Sequence, residues 1–237
     1  ARNVLVVPLA DESKLYYYNW VQNNIRKVNE ATNGEIGYIH IPDMGVDGLN
    51  EFVKHYYPQL NKKALIIDDR GNGGGNVSPM ITERLMRTPT FYTMHTNQTV
   101  GSVSPVGTFL GPKVLLVNEY SASDGDLFPY RFKYNHLGTI IGRRTWGGVV
   151  GYSGSIRVVD GGSIVTPSYA PFAADGSEFI IEGTGVAPHI ENDPYLEYNG
   201  EDQQLNKAIQ VILEKLKTEK KEIPSIPAFP NKAAKKK

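Results

Sequence analysis

The sequence predicts an α/β protein in which βαβ units form a mostly parallel sheet, with additional β-hairpins. Short apolar runs, such as those at 64–68 and 113–117, alternate with segments of helical length. This alternation is typical of parallel strands joined by helices. From 149 to 181, apolar and polar residues alternate between glycines instead, which favours hairpins.

The predicted elements follow one another along the chain in strand–helix order. Apolar or alternating runs predict strands at 3–9, 34–41, 64–68, 113–117 and 139–142. Apolar residues at helical spacing predict helices at 12–29, 49–57, 80–86, 127–134 and 202–221. Pro58 ends the second helix, because proline disfavours helical conformation in the residue before it.

One domain is expected over residues 1–221, followed by a tail. Residues 222–237 are rich in proline and lysine. Such segments are commonly the unstructured end of a domain. We therefore expect 222–237 to be disordered.

Composition excludes several classes of function. The 237 residues include 25 Lys+Arg, 25 Asp+Glu and no Cys. A zero net charge argues against nucleic-acid binding, which normally needs a basic excess, and the lack of Cys excludes disulfides and thiolate sites. No apolar run reaches the roughly 18 residues of a membrane span. We expect a soluble protein, and the composition does not separate cytoplasm from periplasm.

A glycine-rich loop follows the predicted strand at 64–68. The segment 68–75 reads DDRGNGGG, and its successive N–H groups could bind an anion or form an oxyanion hole. It lacks the Gly-Lys-Ser/Thr of a phosphate-binding loop. Taken alone, it is more typical of a structural turn in which Asp68 and Arg70 form an ion pair.

A serine-containing turn follows the predicted strand at 113–117. The segment 118–126 reads NEYSASDGD, and a serine at a strand-to-helix turn is presented outward beside the N–H groups of the helix start. These are the requirements of a nucleophile whose reaction passes through an oxyanion. The local sequence also fits a capping box between Ser123 and Asp126, and the two interpretations are compatible.

Two further segments contain polar groups of interest. Glu182 begins EGTGVAPHI at 182–190 and could orient a base or a hydroxyl, although an exposed loop glutamate is the simpler interpretation. The segment 142–148, GRRTWGG, taken alone is interpreted as a basic surface turn with a packing Trp. None of the histidines (His40, His55, His95, His136 and His189) has a zinc-binding spacing. None of them is a clear candidate for a catalytic base.

Taken together and in order, these segments resemble the tricorn branch of the tail-specific (C-terminal processing) serine peptidases. The resemblance extends from about residue 2 to 216. The motifs that carry it are 37–44 (GYIHIPDM), 68–75, 118–126, 142–148 and 182–190. It implies a crotonase/ClpP-like catalytic core that hydrolyses peptides or unfolded protein ends, as an endopeptidase or a carboxypeptidase-like enzyme, without metal or organic cofactor. The family often assembles into trimers or hexamers, so a homo-oligomer is one expectation.

The resemblance also implies roles for individual residues. Ser123, rather than Ser121, is the expected nucleophile. The N–H groups of Asp124 and of Gly74 are the expected oxyanion hole. Glu182 is expected to polarise and position the catalytic groups. His189 stands where the family usually carries Asp, which bears on the local turn and not on the mechanism.

The expected general base lies outside this sequence. Many members of the superfamily use a lysine at the end of the segment that corresponds to 142–148, but this chain has Gly148 there. A glycine cannot accept a proton, so the chain resembles the branch that uses a histidine and a second serine from a helical segment upstream of a PDZ-like domain. We therefore expect a C-terminal fragment that is close to inactive alone. Two alternatives are a non-catalytic peptide-binding scaffold of the same fold and a crotonase-like acyl-transferring enzyme that binds coenzyme A esters.

Overall fold

The computed structural model describes residues 2–96, 99–219 and 222–229. The strands are β1 (Ile36–His40), β2 (Ala64–Asp68), β3 (Phe91–Thr93), β4 (Ser102–Ser104), β5 (Lys113–Val117), β6 (Thr139–Gly142), β7 (Gly151–Arg157), β8 (Ser163–Tyr169) and β9 (Ile190–Glu191). The helices are α1 (Ser13–Ala31), α2 (Val46–Tyr56), α3 (Ser78–Met86), α4 (Asp124–Tyr134), α5 (Pro194–Tyr198) and α6 (Gln203–Thr218). A 3₁₀ turn at Tyr57–Gln59 follows α2 and contains Pro58.

The central sheet is parallel throughout its described part, in the order β1-β2-β5-β6-β9. Among the described residues, two antiparallel hairpins, β3–β4 and β7–β8, lie outside it. The predicted α/β class, with a mostly parallel sheet and added hairpins, is confirmed. The hairpin β7–β8 occupies the region in which alternation of apolar and polar residues predicted it.

Helices cover both faces of the sheet, which explains why the central strands are apolar without alternation. Every residue of β1, β2 and β5 is buried, as expected for a sheet covered on both sides. Ile39 and Ile67 pack with α2, α3 and α4 on one face. The neighbouring residues Tyr38 and Ile66 pack with α1 and α6 on the other, because successive side chains of a strand point to opposite faces.

The predicted strand at 3–9 is wrong. Residues 3–9 are exposed and irregular, and Val4 and Leu5 expose 77% and 92% of their surface. Apolar, β-branched residues favour a strand only where a neighbouring strand accepts their hydrogen bonds. Among the described residues, no strand pairs with 3–9, so the local pattern lacks the partner that it needs.

The prediction of one domain over residues 1–221 with a disordered tail stays a prediction. The last helix ends at Thr218 rather than at 221, and residues 220 and 221 lie outside the described residues. Residues 222–229 have no regular secondary structure, and 230–237 lie outside the described residues, so the disordered tail stays a prediction. Within the described ranges, no helix combines the length and the apolar character needed to span a membrane.

The parallel sheet positions the candidate site. The carboxyl ends of parallel strands lie at one edge of a sheet, where the following turns meet. The glycine loop follows β2, the serine turn follows β5 and the segment GRRTWGG begins at the end of β6. The fold therefore brings motifs that are far apart in sequence to one edge.

Candidate active site

The glycine loop is fixed by the side chain of Asn72, which is fully buried. Its amide nitrogen donates to the Ile41 carbonyl at 3.1 Å and to Asp69 Oδ1 at 2.9 Å. Its amide oxygen accepts the Gly74 N–H at 3.0 Å, and its backbone carbonyl accepts the Ala122 N–H at 2.8 Å. One asparagine thus connects the loop to the end of β1 and to the serine turn.

Asp68 and Arg70 form an ion pair, as the structural-turn interpretation of this loop expects. Arg70 Nη2 lies 2.6 Å from Asp68 Oδ2, and Arg70 Nη1 lies 2.9 Å from Asp202 Oδ1. Tyr38 donates its hydroxyl to Asp68 Oδ2 at 2.7 Å. Burial opposes ionisation of Asp68, but the Arg70 guanidinium outweighs it and holds the pKa of Asp68 below its ordinary value. The pair anchors the start of the loop to α6.

Asp69 is buried beside this pair and behaves differently. Burial, together with the charge of Asp68, raises the pKa of Asp69 well above its ordinary value. Its Oδ1 accepts from Asn72, whereas its Oδ2 has no partner among the described residues. The fold therefore favours the protonated, uncharged form of Asp69.

The serine turn presents Ser123 and buries Ser121. The Ser121 hydroxyl donates to the Asp69 carbonyl at 2.8 Å, and its residue is fully buried. Ser123 is exposed and immediately precedes α4. Its backbone has φ 57° and ψ −118°, in a region that residues other than glycine rarely adopt. This strained, outward turn is the geometry in which a nucleophilic serine is displayed.

Within the described part of the chain, the carboxylate of Asp124 is hydrogen-bonded and its N–H group is not. No hydrogen bond from its N–H to a described residue is present, as expected for the first residue of a helix. Its carboxylate accepts from the Ser78 N–H at 2.9 Å and from the Ser78 hydroxyl at 2.5 Å, at the start of α3. These two contacts hold the Asp124 side chain against the start of α3.

Gly74 lies directly against the serine. A Cβ atom placed on Gly74 would be 2.6 Å from Ser123 Cβ and 3.1 Å from the Asp124 nitrogen, so only glycine fits here. The Gly74 N–H is donated to Asn72 Oδ1 at 3.0 Å. The N–H of Gly75 has no partner among the described residues. The glycine loop and the serine turn thus meet as expected, but Gly74 must release Asn72 before its N–H can bind an oxyanion.

Glu182 is exposed at the end of a tight turn. Its Oε2 accepts the N–H groups of Val149 at 2.7 Å and Val150 at 2.8 Å. Its Oε1 accepts no hydrogen bond from the described residues. Ile181, which precedes it, has φ 73°, an outlier for a β-branched residue. Glu182 is therefore held rigidly, with one oxygen still available.

The segment at 142–148 links Glu182 to the serine turn. The Trp146 N–H donates to the Ser121 carbonyl at 3.0 Å. The Gly147 N–H donates to Asp126 Oδ1 at 2.8 Å, and the Gly147 carbonyl accepts the Gly183 N–H at 2.7 Å. All five sequence motifs are therefore in hydrogen-bonded contact at this edge of the sheet.

Several of these contacts were not foreseen from sequence. Asp126 was predicted only as a helix cap, and its carboxylate does accept the Ser123 N–H at 2.9 Å. Its further contacts with 147–148 had no local signal, because they join segments that are separated by about twenty residues. The role of Asn72 in connecting the glycine loop to its neighbours has one sequence signal, the position of this asparagine between Asp68 and the glycines.

Of the described histidines, His40 and His55 have polar partners, His136 and His189 line one cavity away from Ser123, and His95 lies in the loop between β3 and β4. His40 Nε2 donates to the Arg70 carbonyl and its Nδ1 accepts from Tyr17, both at 3.0 Å; burial lowers the pKa of His40 and favours this neutral ring. His55 pairs with Glu51 on α2. His136 follows α4 and lines a cavity with His189. The length of α4, about 16 Å, separates this end of the helix from Ser123.

Comparisons with known proteins show the family to which the chain belongs. The profile of peptidase family S41 matches residues 35–192. A tricorn protease of Thermoplasma volcanium is 44% identical over 227 residues, which are 94% of this chain and 22% of that protein. A crystal structure of the tricorn protease has a TM-score of 0.84 at 40% identity, over 92% of this chain and 21% of that chain.

A photosystem II D1 C-terminal processing protease shares the fold, with a TM-score of 0.51 at 18% identity over 75% of this chain and 46% of that chain. The chain thus spans about a fifth of the length of the tricorn proteases that it matches. The matched residues 35–192 contain the five motifs on which the sequence resemblance depended. The chain belongs to peptidase family S41, with tricorn proteases among its relatives.

Proposed function

We propose that this chain is the nucleophile-bearing core of a serine peptidase that hydrolyses peptides or unfolded protein ends. The observation that carries the proposal is the exposed Ser123 in a strained turn, with the free N–H of Asp124 beside it and the backbone of Gly74 against it. Membership of family S41 supports the same reaction class. The proposal needs no metal or organic cofactor.

Ser123 Oγ attacks the peptide carbonyl carbon while its proton passes to a general base. The carbonyl oxygen becomes an oxyanion, which the N–H of Asp124 stabilises together with the N–H of Gly74 once the latter has left Asn72 Oδ1. The base then protonates the leaving amine, and water hydrolyses the ester of Ser123 by the same route. Losing one oxyanion donor typically costs about 2.7–4 kcal/mol in the barrier.

The proposed base is a histidine outside these 237 residues, accompanied by a second serine. Both ring nitrogens of His40 are occupied, and His136 and His189 lie at the far end of α4. Glu182 supports the incoming groups through Oε1, because Oε2 is held by two backbone N–H groups. In this role it orients and polarises and does not carry the reacting proton.

Hydrolysis of a fluorogenic peptide by the full-length protein tests the proposal. We expect Ser123→Ala to abolish turnover while the thermal midpoint stays close to that of the wild type. We expect the 237-residue chain alone to be close to inactive, since catalysis without the base leaves about 10³–10⁴-fold over water in serine peptidases. Undiminished turnover in Ser123→Ala would contradict the assignment.

Absence of peptide hydrolysis, combined with a binding measurement, distinguishes two other functions. A scaffold that only binds peptides would bind the substrate without cleaving it, in the wild type and in Ser123→Ala alike. An acyl-transferring enzyme would bind a coenzyme A ester and leave peptides intact. Rapid turnover by the 237-residue chain, abolished by a substitution of His40 or His189, would show that the base lies within the chain.

A further inference from the structure

We infer that Asp126 is a positioning residue for the reaction, holding Ser123 and Glu182 in one rigid arrangement. The inference rests on the proposed function of Ser123. It goes beyond helix capping, since a cap needs only the contact with Ser123. Asp126 also contacts a second turn, and this turn leads to the backbone groups that hold Glu182.

The carboxylate of Asp126 accepts three backbone N–H groups and is fully buried. Its Oδ2 accepts from Ser123 at 2.9 Å and from Gly148 at 3.2 Å, and its Oδ1 accepts from Gly147 at 2.8 Å. A carboxylate suits this task, because its two oxygens can together accept several hydrogen bonds.

The shared Oδ2 atom fixes the Ser123 peptide relative to the turn at 147–148. This contact opposes relaxation of Ser123 from its strained φ, because such relaxation would rotate its N–H away from the carboxylate. The orientation of the Ser123 side chain therefore depends on Asp126.

The same contacts extend to Glu182. Val149 and Val150 directly follow Gly148, and both donate their N–H groups to Glu182 Oε2. The Gly147 carbonyl in turn accepts the N–H of Gly183. A shift of the turn at 147–148 would therefore move the groups that hold Glu182, and Asp126 connects the two catalytic side chains.

Peptide hydrolysis by full-length Asp126→Ala tests the inference. We expect kcat to fall about 10²-fold with KM within about threefold, since misplacing a catalytic group by about 1 Å can cost that much. Asp126→Asn retains one acceptor oxygen in the same place, so we expect it to recover part of the lost kcat. A purely structural role would lower the amount of folded protein and leave the kcat of the folded fraction unchanged.

Asp193→Ala is the matched control, since Asp193 is also a capping carboxylate and accepts the Tyr195 N–H at 2.9 Å at the start of α5. We expect its kcat to equal that of the wild type. A kcat for Asp126→Ala within about threefold of the wild type, or an equal loss in Asp193→Ala, would overturn the inference while leaving Ser123 as the nucleophile. A wild type that cleaves no peptide would instead refute the proposed function.

Hydrogen exchange in the unmodified protein keeps the inference testable if Asp126→Ala does not fold. We expect the amide protons of Ser123, Gly147 and Gly148 to exchange at least about tenfold more slowly than that of Gly73, whose N–H has no partner among the described residues. Exchange of Ser123 and Gly148 as fast as that of Gly73 would contradict the shared carboxylate.

Discussion

Replacing Ser123 by glycine and by alanine separates the strain of its backbone from the loss of its hydroxyl. Both variants lack the hydroxyl, but only alanine keeps the Cβ atom that opposes φ 57°. A residue other than glycine in such a region costs about 1–3 kcal/mol of stability. Glycine avoids this cost but loses about 0.5–1 kcal/mol, because it has greater freedom in the unfolded chain. We therefore expect Ser123→Gly to be more stable than Ser123→Ala by about 1 kcal/mol.

Thermal or urea unfolding of the two variants measures this difference. For a domain of this size, about 1 kcal/mol corresponds to a shift of about 2–4 °C in Tm. The matched pair is Ser13→Gly and Ser13→Ala at the start of α1, where φ is not positive. There we expect the opposite order, because alanine favours the helix over glycine. If Ser123→Ala were as stable as Ser123→Gly, Ser123 would not be strained.

The remaining predictions concern the glycine loop, a buried carboxyl and the glutamate. Gly74→Ala should lose more stability than Gly71→Ala. Both glycines have positive φ, but only at Gly74 would the added Cβ atom lie within 3 Å of other atoms, Ser123 Cβ and the Ala122 carbonyl oxygen. Unfolding in urea compares the two variants, and equal losses would contradict the close contact. Asp69→Asn should gain stability relative to the wild type as pH rises above about 4. Because the pKa of Asp69 is raised by folding, the folded wild type keeps a proton that the unfolded chain releases, and the wild type therefore loses stability over this range. A difference in Tm between the two proteins that does not vary with pH would contradict this. Glu182→Gln should keep an oxygen that accepts the N–H groups of Val149 and Val150, so we expect its Tm to be unchanged. We expect its kcat to fall at least about tenfold, and an unchanged kcat would show that Glu182 takes no part in the reaction.

The central strands could be predicted from sequence because their burial requires a continuous apolar run. β2 and β5 match the predicted ranges fully, since both faces of each are covered by helices. The run at 3–9 has the same local character but no partner strand among the described residues. Local pattern records the preference of a segment, whereas pairing depends on the rest of the fold.

The meeting of the glycine loop and the serine turn could be predicted from sequence, because each of them follows a strand of the parallel sheet. That placement alone brings the loop after β2 to the turn after β5, and it accounts for the contact between Gly74 and Ser123. The direction of the Gly74 N–H, toward Asn72, depends on one peptide orientation and has no sequence signal. The contacts of Asp126 with the turn at 147–148 are likewise set by tertiary packing.

Labelling of the full-length protein with a fluorophosphonate tests most directly whether Ser123 is the nucleophile. The probe reacts only with an activated serine, and mass spectrometry locates the adduct in the sequence. We predict one adduct at Ser123 and its loss in Ser123→Ala. An adduct at Ser121, or peptide hydrolysis that continues in a protein without any adduct at Ser123, would contradict the proposed mechanism.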